Sequence, residues 1–266
     1  MGYETSFKGK LIKKTGLTVN FLGDYFGEQV DREVKYKFPM ILTPCYDDRF
    51  IPCSDEGGID LISGRNIVRG TNSLYLAAVN GILRPKGMRT ATPADLEEII
   101  RNKALNFFET WVESALILRS DGNPDSYLAK DILKQLGFRL GNDLCMPLMI
   151  PLSDVELIED VNSPYGLRFN LREDANATYT PQLWHENNGK RFSETDEKGL
   201  PIFAKKGKRT LSTEKSGLTV LCLSSVSGEL NWDANNPVDG GMADNFRSEL
   251  AYTGSLGRVV VVKPKS

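Results

Sequence analysis

The chain has 266 residues, of which 40% are hydrophobic, and its 33 basic and 35 acidic residues give a net charge of -2. This length and apolar content suffice for one large domain or two small ones without a disulfide scaffold. The balanced charge provides no electrostatic footprint for nucleic acid and no polybasic membrane patch. Four scattered cysteines and a single histidine, His185, leave no cluster with zinc-ligand spacing.

Short β-prone runs, separated by clusters of Gly, Asp and Pro, occupy residues 1 to about 80. Runs that are bounded by turn-forming residues predict a part of the chain made of strands and loops. The three clearest runs are Leu17–Leu22, Val34–Ile41 and Ser73–Ala78.

Two helices are predicted in the middle of the chain. The first begins at Thr92, whose side chain can cap the helix, and it has Pro93 at its first position. The second begins at residues 123–125 and ends at Gly137, a residue suited to the left-handed conformation past a helix end. Each helix carries one apolar stripe that packs inward. The stripes are Leu96, Ile99, Ile100, Ala104 and Phe107 in the first helix, and Leu128, Ile132, Leu133 and Leu136 in the second.

Strand-like sequence returns between Met146 and Thr180 and includes Tyr165–Leu171. Exposed turns follow at residues 186–189 and 193–199, where polar and charged residues cluster. The chain has no internal repeat and no long linker, which favours a single domain spanning residues 1–266.

The C-terminal part of the chain combines an apolar framework with a polar insert. Gly217–Leu223 alternates like a strand, and Val259–Val262 form a β-branched run stopped by Pro264, as in a fully buried strand. Between them the insert, Ser224–Leu256, is rich in Ser, Gly, Asn and Asp, and loops of this length are usually functional or disordered. The pattern favours a rigid scaffold that displays a surface; a structured surface loop without a partner is the alternative. Large apolar side chains argue against disorder: Trp232, Met242, Phe246, Leu250 and Tyr252.

No catalytic constellation is found in the sequence. No glycine-rich phosphate loop follows a strand, no G-x-S-x-G elbow occurs, and one histidine cannot be placed beside a nucleophile. We therefore predict a protein that is not an enzyme and uses no cofactor and no metal. Some side chains in the insert offer oxygens suitable for calcium, although Asn and Asp are also the residues that turns prefer. They are Asp233, Asn235, Asn236 and Asp239.

Three segments of the C-terminal part carry a resemblance to a known family. They are Gly217–Leu223 (GLTVLCL), Leu250–Gly254 (LAYTG) and Gly257–Val262 (GRVVVV). Together they resemble the variable regions of diversity-generating retroelement target proteins of the archaeal and viral type. The resemblance implies an α+β architecture with a C-type lectin fold: two helices, a mostly antiparallel sheet and insertions. It places the variable, ligand-binding region at about residues 217–262.

The resemblance also implies how the binding surface varies. In that family a reverse transcriptase copies a template repeat, errs at adenines and overwrites the 3′ end of the gene, so that AAY codons become NNY. Such codons cannot encode Trp, Met, Lys, Glu or Gln, which assigns Glu229, Trp232, Met242 and Glu249 to the scaffold. The permitted positions, which we expect to form the ligand-binding surface, are Cys222, Ser224, Ser225, Ser227, Gly228, Asn231, Asp233, Asn235, Asn236, Asp244, Asn245, Tyr252 and Ser255.

Two other functions belong to the same fold family. Calcium-dependent sugar-binding lectins are expected to carry Glu-Pro-Asn or Gln-Pro-Asp, of which residues 235–237 (Asn-Asn-Pro) are a partial echo. Formylglycine-generating oxidases are expected to carry paired active-site cysteines late in the chain, where this sequence has Cys222 alone. A fixed carbohydrate-binding lectin is therefore the first alternative and an oxidase the second.

The expected partner is a protein or glycan receptor on a cell surface, contacted through shape and hydrogen bonding. A homo-oligomer would compensate for weak single sites through effective concentration. The first residues lack the apolar core of a signal peptide, and no run approaches membrane-spanning length. By resemblance we expect the protein on a virion or a microbial cell surface, with no nucleic-acid partner and no membrane insertion.

Overall fold

The computed structural model describes residues 7–24, 27–38, 58–60, 67–69, 71, 73–118, 127–141, 148–163, 166–179, 190–191, 194–195, 201–202, 218–224, 231–233 and 257–265. Within these ranges the α-helices are α1 Gly27–Lys37, α2 Ser73–Leu83, α3 Pro93–Arg101 and α4 Tyr127–Leu140. The strands are β1 Lys10–Ile12, β2 Leu17–Phe21, β3 Gly58–Asp60, β4 Ile67–Arg69, β5 Arg89–Thr90, β6 Trp111–Leu118, β7 Leu148–Pro151, β8 Val155–Glu159, β9 Leu167–Leu171, β10 Thr178–Tyr179, β11 Lys190–Arg191, β12 Glu194–Thr195, β13 Pro201–Ile202, β14 Leu218–Ser224, β15 Asn231–Asp233 and β16 Val260–Lys263.

Two larger sheets position the C-terminal part of the chain. One has the strand order β1-β2-β16-β5, and the other has the order β10-β7-β6-β14-β15-β11. Three further sheets have two strands each, namely β3-β4, β8-β9 and β12-β13. In the described ranges every pair of these strands is antiparallel.

The C-terminal strand β16 lies inside the four-stranded sheet, between β2 and β5. Val260 is opposite Phe21 and Val262 is opposite Val19. The valines of residues 259–262 are all buried, which confirms the predicted buried strand. Burial of each such side chain contributes about 1.5 to 3 kcal/mol, so the end of the chain is anchored in the core.

Strands β6 and β14 are buried on both faces because they separate two hydrophobic cores. The main core also contains residues from α1, α2, α4 and β7–β9, and the second core contains residues from α3, β2 and β16. Alternate residues therefore enter different cores. Leu116, Leu118, Leu218 and Val220 lie in the main core, and Val112, Ala115, Ile117 and Leu221 lie in the second core.

Two predicted strands are wrong because their residues form helices. The residues predicted as Val34–Ile41 belong to α1 as far as Lys37, and the buried residues Val30, Val34 and Phe38 recur every fourth position, as on one helix face. The residues predicted as Ser73–Ala78 begin α2, where all residues except Gly81 are buried. An apolar helix without a polar face has no helical period to distinguish it from a buried strand.

The helix predicted at Thr92 is confirmed as α3. Thr92 Oγ1 accepts a hydrogen bond from the Asp95 backbone N at 3.2 Å, and Asp95 Oδ2 accepts one from the Thr92 backbone N at 2.8 Å. This reciprocal pair satisfies two backbone donors at the start of the helix. Ala104 and Phe107 are buried as predicted, but they lie beyond the end of the helix at Arg101.

The second predicted helix is confirmed as α4, but its predicted end at Gly137 is wrong. The helix continues to Leu140, and the left-handed residue after it is Gly141, with φ of 52°. Leu140 packs against the main core, which favours the additional turn. Gly137 is therefore an exposed helical residue rather than the residue past the helix end.

The fold is a mixture of helices and antiparallel sheets, as predicted. The predicted helix number is wrong, since the described ranges contain four α-helices, two of them in the part predicted as strands and loops. The strand run at Leu17–Leu22 and the strand-rich stretch between Met146 and Thr180 are confirmed. Among the described helices, none is both long enough and apolar enough to cross a bilayer.

Candidate functional site

The insert begins where strand β14 ends. Strand β14 pairs with β6 from Leu218, opposite Leu118, to Ser224, opposite Trp111. A β-bulge interrupts the ladder between Leu221 and Cys222, and bulges increase the local twist of a strand. The ladder therefore fixes both the position and the direction in which the chain enters the insert.

Both ends of the insert meet at Trp111. Its first residue, Ser224, is opposite Trp111 in the β6–β14 ladder, and Gly257, directly after its last residue, forms a parallel bridge with Trp111. The backbone N of Arg258 donates to the carbonyl O of Trp111 at 2.8 Å. Residues in the described part of the chain therefore hold the two ends of the insert together. We call β6, β14 and residues 257–263 the insert frame.

Part of the insert continues the six-stranded sheet, which we call the central sheet. In β15, Asn231 is opposite Ser224, Trp232 is opposite Leu223, and Asp233 is opposite Cys222. The other edge of β15 pairs with β11. The first segment of the insert is therefore a hairpin arm held by backbone hydrogen bonds, which do not depend on the identity of the side chains.

Arg258 anchors the downstream end of the insert to the four-stranded sheet β1-β2-β16-β5. Its guanidinium lies over the ring of Phe21, 3.6 Å from the centroid, and its Nη2 is 3.5 Å from Asp24 Oδ1. Stacking on an aromatic face stabilises a cation that is largely removed from water, and Arg258 is only 21% exposed. Two backbone hydrogen bonds continue this connection: Leu22 N donates to Val259 O, and Ala91 N donates to Val260 O, each at 2.9 Å.

A buried carboxyl lies inside the insert frame. Glu113 on β6 is 4% exposed and is opposite Cys222 in the ladder. Ser73 Oγ, at the start of α2, donates to Glu113 Oε2 at 3.2 Å. Burial raises the pKa of Glu113 well above its ordinary value, and the hydrogen bond from Ser73 offsets only part of that effect. In the same frame Ser114 Oγ donates to the carbonyl O of Leu221, beside the bulge, at 2.8 Å.

One predicted ligand-binding residue is wrong. Cys222 is 2% exposed and belongs to the main core, so its side chain cannot contribute to a surface. The backbones of Ser224, Asn231 and Asp233 lie in paired strands of the central sheet. The other predicted positions lie outside the described residues: Ser225, Ser227, Gly228, Asn235, Asn236, Asp244, Asn245, Tyr252 and Ser255.

Three residues that organise the site were not predicted from sequence. Trp111, Glu113 and Ser73 come from β6 and from the start of α2, far along the chain from the insert. The apolar run from Ala115 to Leu118 could have revealed β6 as a buried strand. Nothing local in the sequence pairs Trp111 with residues 224 and 257, since that pairing is created by the sheet topology.

The described ranges contain no group of three or more His, Cys, Asp or Glu residues that could hold a metal ion. Comparison of the chain with protein-family models, with curated proteins and with solved structures found no match. The geometry of the site is that of a buried antiparallel frame that holds the two ends of a polar segment together at Trp111.

Proposed function

We propose that this chain is a binding protein whose C-terminal insert forms a ligand- or receptor-recognising surface, diversified by a retroelement on a fixed scaffold of C-type lectin type. The observation that carries the proposal is the convergence of both ends of the insert on Trp111. A surface whose residues change needs a backbone whose position does not depend on them. The insert frame supplies that backbone at the two ends of the insert.

The free-energy cost of ordering a segment on binding supports a division between a fixed frame and a variable surface. Ordering a flexible segment on binding costs about 0.5 to 1.5 kcal/mol for each immobilised side chain, in addition to the cost of ordering the backbone. In this chain the base of the insert is ordered before any ligand arrives, by the β6–β14 ladder and by the stack of Arg258 on Phe21. More of the interaction free energy with a ligand then contributes to affinity.

The composition of the insert supports recognition rather than catalysis. Ser, Gly, Asn and Asp give adaptable hydrogen bonding, and an occasional tyrosine such as Tyr252 adds contact area at low entropic cost, as in antibody paratopes. A protein or glycan receptor on a cell surface is the partner class that suits such a surface. The proposed setting is a virion or a microbial cell surface, where several copies would raise the avidity of weak single sites.

The proposal is tested by sequencing the 3′ end of the gene across many copies in its source population, together with the flanking DNA. We expect variation confined to codons between Gly217 and Gly257, matched to adenines in a nearby near-repeat beside a reverse transcriptase gene. Codons for Trp232 and Met242 should stay constant, because AAY-derived codons cannot encode these residues. An invariant 3′ end with no repeat would contradict diversification and leave a fixed lectin-like domain.

A further inference from the structure

Glu113 is a buried ionisable residue on a strand that lies between two hydrophobic cores. It follows Val112, which lies in the second core, so the alternation of a strand turns Glu113 toward the main core. Its opposite residue, Cys222, lies in that main core. A carboxyl in such surroundings is far more easily accommodated in its neutral form than as an anion.

Among the described residues, no cation acts on Glu113. The Glu113 carboxyl accepts a hydrogen bond from the hydroxyl of Ser73 in α2. On β14, Cys222 is the residue opposite Glu113 in the ladder. The buried side chains that helix α4 contributes to the main core are Leu128, Ala129, Ile132 and Leu136. Within the described residues, burial and the Ser73 hydrogen bond are the two influences on the protonation of Glu113.

The location of Glu113 links it to the insert. It is two residues from Trp111, where both ends of the insert meet, and its opposite residue Cys222 is two residues from Ser224. The bulge between Leu221 and Cys222 interrupts the ladder at this same point. A bulge leaves a strand locally short of ladder hydrogen bonds, so side-chain contacts there have more influence on where the strand goes.

We propose that Glu113 is a positioning residue for the insert: its carboxyl, hydrogen-bonded to Ser73, holds the bulged part of β6 and the paired end of β14 against the start of helix α2, and loss of its proton to water releases that contact. This inference rests on the proposed function, because it concerns the same displayed segment. The anion that forms needs water or a cation. In this proposal the anion reaches water when β6 and β14 separate at the bulge, which would loosen the upstream end of the insert.

The sign of the pH effect follows from the direction of the pKa shift. A carboxyl whose pKa is raised by folding is protonated more fully in the folded state than in the open state between the two pKa values. Protection of β14 is therefore greatest in acid, falls as the pH rises from the ordinary glutamate pKa toward the raised one, and is constant above it. The change amounts to about tenfold for each pH unit in that interval.

Amide hydrogen exchange of the full chain, followed by mass spectrometry and corrected for the intrinsic pH dependence of exchange, tests the proposal. Between about pH 5 and about pH 8 we expect the protection of residues 218–224 to fall by tenfold or more in the wild type. Glu113→Gln keeps the shape and the neutral state, so the protection of this segment should be high and independent of pH. Cys222→Ala, which removes the thiol opposite Glu113, should keep the wild-type pH dependence.

A third variant separates positioning from simple packing. Ser73→Ala removes the hydrogen bond that lowers the pKa of Glu113, so the loss of protection should continue to a higher pH than in the wild type. Asp31 and Asp154 also have pKa values raised by burial, and the pH dependence of exchange in α1 and around residue 154 should be unchanged by Glu113→Gln. These segments provide the internal reference.

The proposal is overturned if wild-type residues 218–224 show constant protection across this pH range, or if Glu113→Gln retains the wild-type slope. It is also overturned if the whole chain loses protection uniformly, because the carboxyl would then act on global stability alone. None of these readings uses a ligand or the gene's history. An invariant 3′ end would remove the proposed diversification and leave this measurement interpretable.

Discussion

The insert frame and the β8–β9 hairpin are both antiparallel, but different interactions hold them in place. The frame is buried on both faces and is connected to its neighbours mainly through backbone ladders. The β8–β9 hairpin packs on helix α4, and polar side chains of that helix bind its edge. Gln135 is the central example: its Nε2 donates to Phe169 O at 2.8 Å, and its Oε1 accepts from Leu171 N at 2.9 Å.

Gln135 thus takes the place of a neighbouring strand along β9, and it covers an edge that would otherwise be open to pairing with another chain. An ionic group lies beside it. Arg168 Nη1 is 3.4 Å from Asp131 Oδ2, and Arg168 Nε is 3.6 Å from Asp160 Oδ2. Tyr127 donates its hydroxyl to Asp160 at 2.7 Å, which lowers the pKa of that carboxyl.

The difference bears on what a scaffold for the proposed variable surface would require. Polar side-chain contacts such as those of Gln135 depend on particular residues at particular positions, so they suit a region whose sequence is constant. Backbone ladders and apolar burial depend far less on the residues next to them. In this chain ladders and apolar burial support both regions, with a few side-chain contacts in the frame, and the hairpin edge depends in addition on Gln135.

The largest change in the free energy of unfolding is expected for a substitution in the insert frame. Leu116 is fully buried on β6, and Leu116→Ala should lower the free energy of unfolding by about 2 to 5 kcal/mol, because it removes transfer free energy and leaves a cavity. Leu11→Ala on the edge strand β1, where the side chain is 55% exposed, is the matched control. Urea unfolding measures both variants. Equal losses would show that the frame is not the main source of stability.

A smaller change in the free energy of unfolding is expected for a substitution that affects the β8–β9 hairpin. In Gln135→Glu the carboxylate cannot donate to Phe169 O, and it lies beside Asp131, whose Oδ2 is 2.6 Å from Gln135 Nε2. We expect the free energy of unfolding to fall by about 1 to 3 kcal/mol. Hydrogen exchange should be faster in residues 167–171 and unchanged in the insert frame. Lys134→Glu, on the exposed side of the same helix, should change stability by about 0.5 kcal/mol or less. Faster exchange in β14 would show that the two regions are coupled.

The smallest expected effect lies in the loop that leads to β6. Lys103 has φ of 48° at the end of α3, where Ala104 N donates to Ile99 O at 2.8 Å in a Schellman arrangement that favours glycine. Lys103→Gly should therefore raise the free energy of unfolding by about 0.5 to 1 kcal/mol. Lys130→Gly, within α4, should lower it by about 1 kcal/mol. A lower stability for Lys103→Gly would show that the residue is not strained.

Sequence patterns predicted the elements whose signals are local. Helix α3 has its cap and proline within a few residues of its start, and β16 is a β-branched run ended by a proline. Helices α1 and α2 were missed for opposite reasons. The valines of α1 favour a strand by propensity, although Val30 and Val34 have the spacing of a helix, and α2 has no polar face to show a period.

The site was predictable only in part. The strands on either side of the insert follow from composition, and so does the polar character of the insert. The burial of Cys222 was missed because a strand between two cores buries every residue, whereas an alternating strand exposes half of them. The convergence on Trp111 joins residues far apart along the chain, and local patterns do not encode such a pairing.

The proposed function requires that different residues carry recognition and folding. It is tested most directly by a saturation library of the full chain, displayed and sorted for resistance to protease. We predict that most substitutions at the permitted insert positions other than Cys222 keep wild-type resistance, whereas polar substitutions at Leu116, Leu221 and Val261 abolish it. If insert positions tolerate as little change as these frame positions, the insert is part of the folding core and the account is wrong.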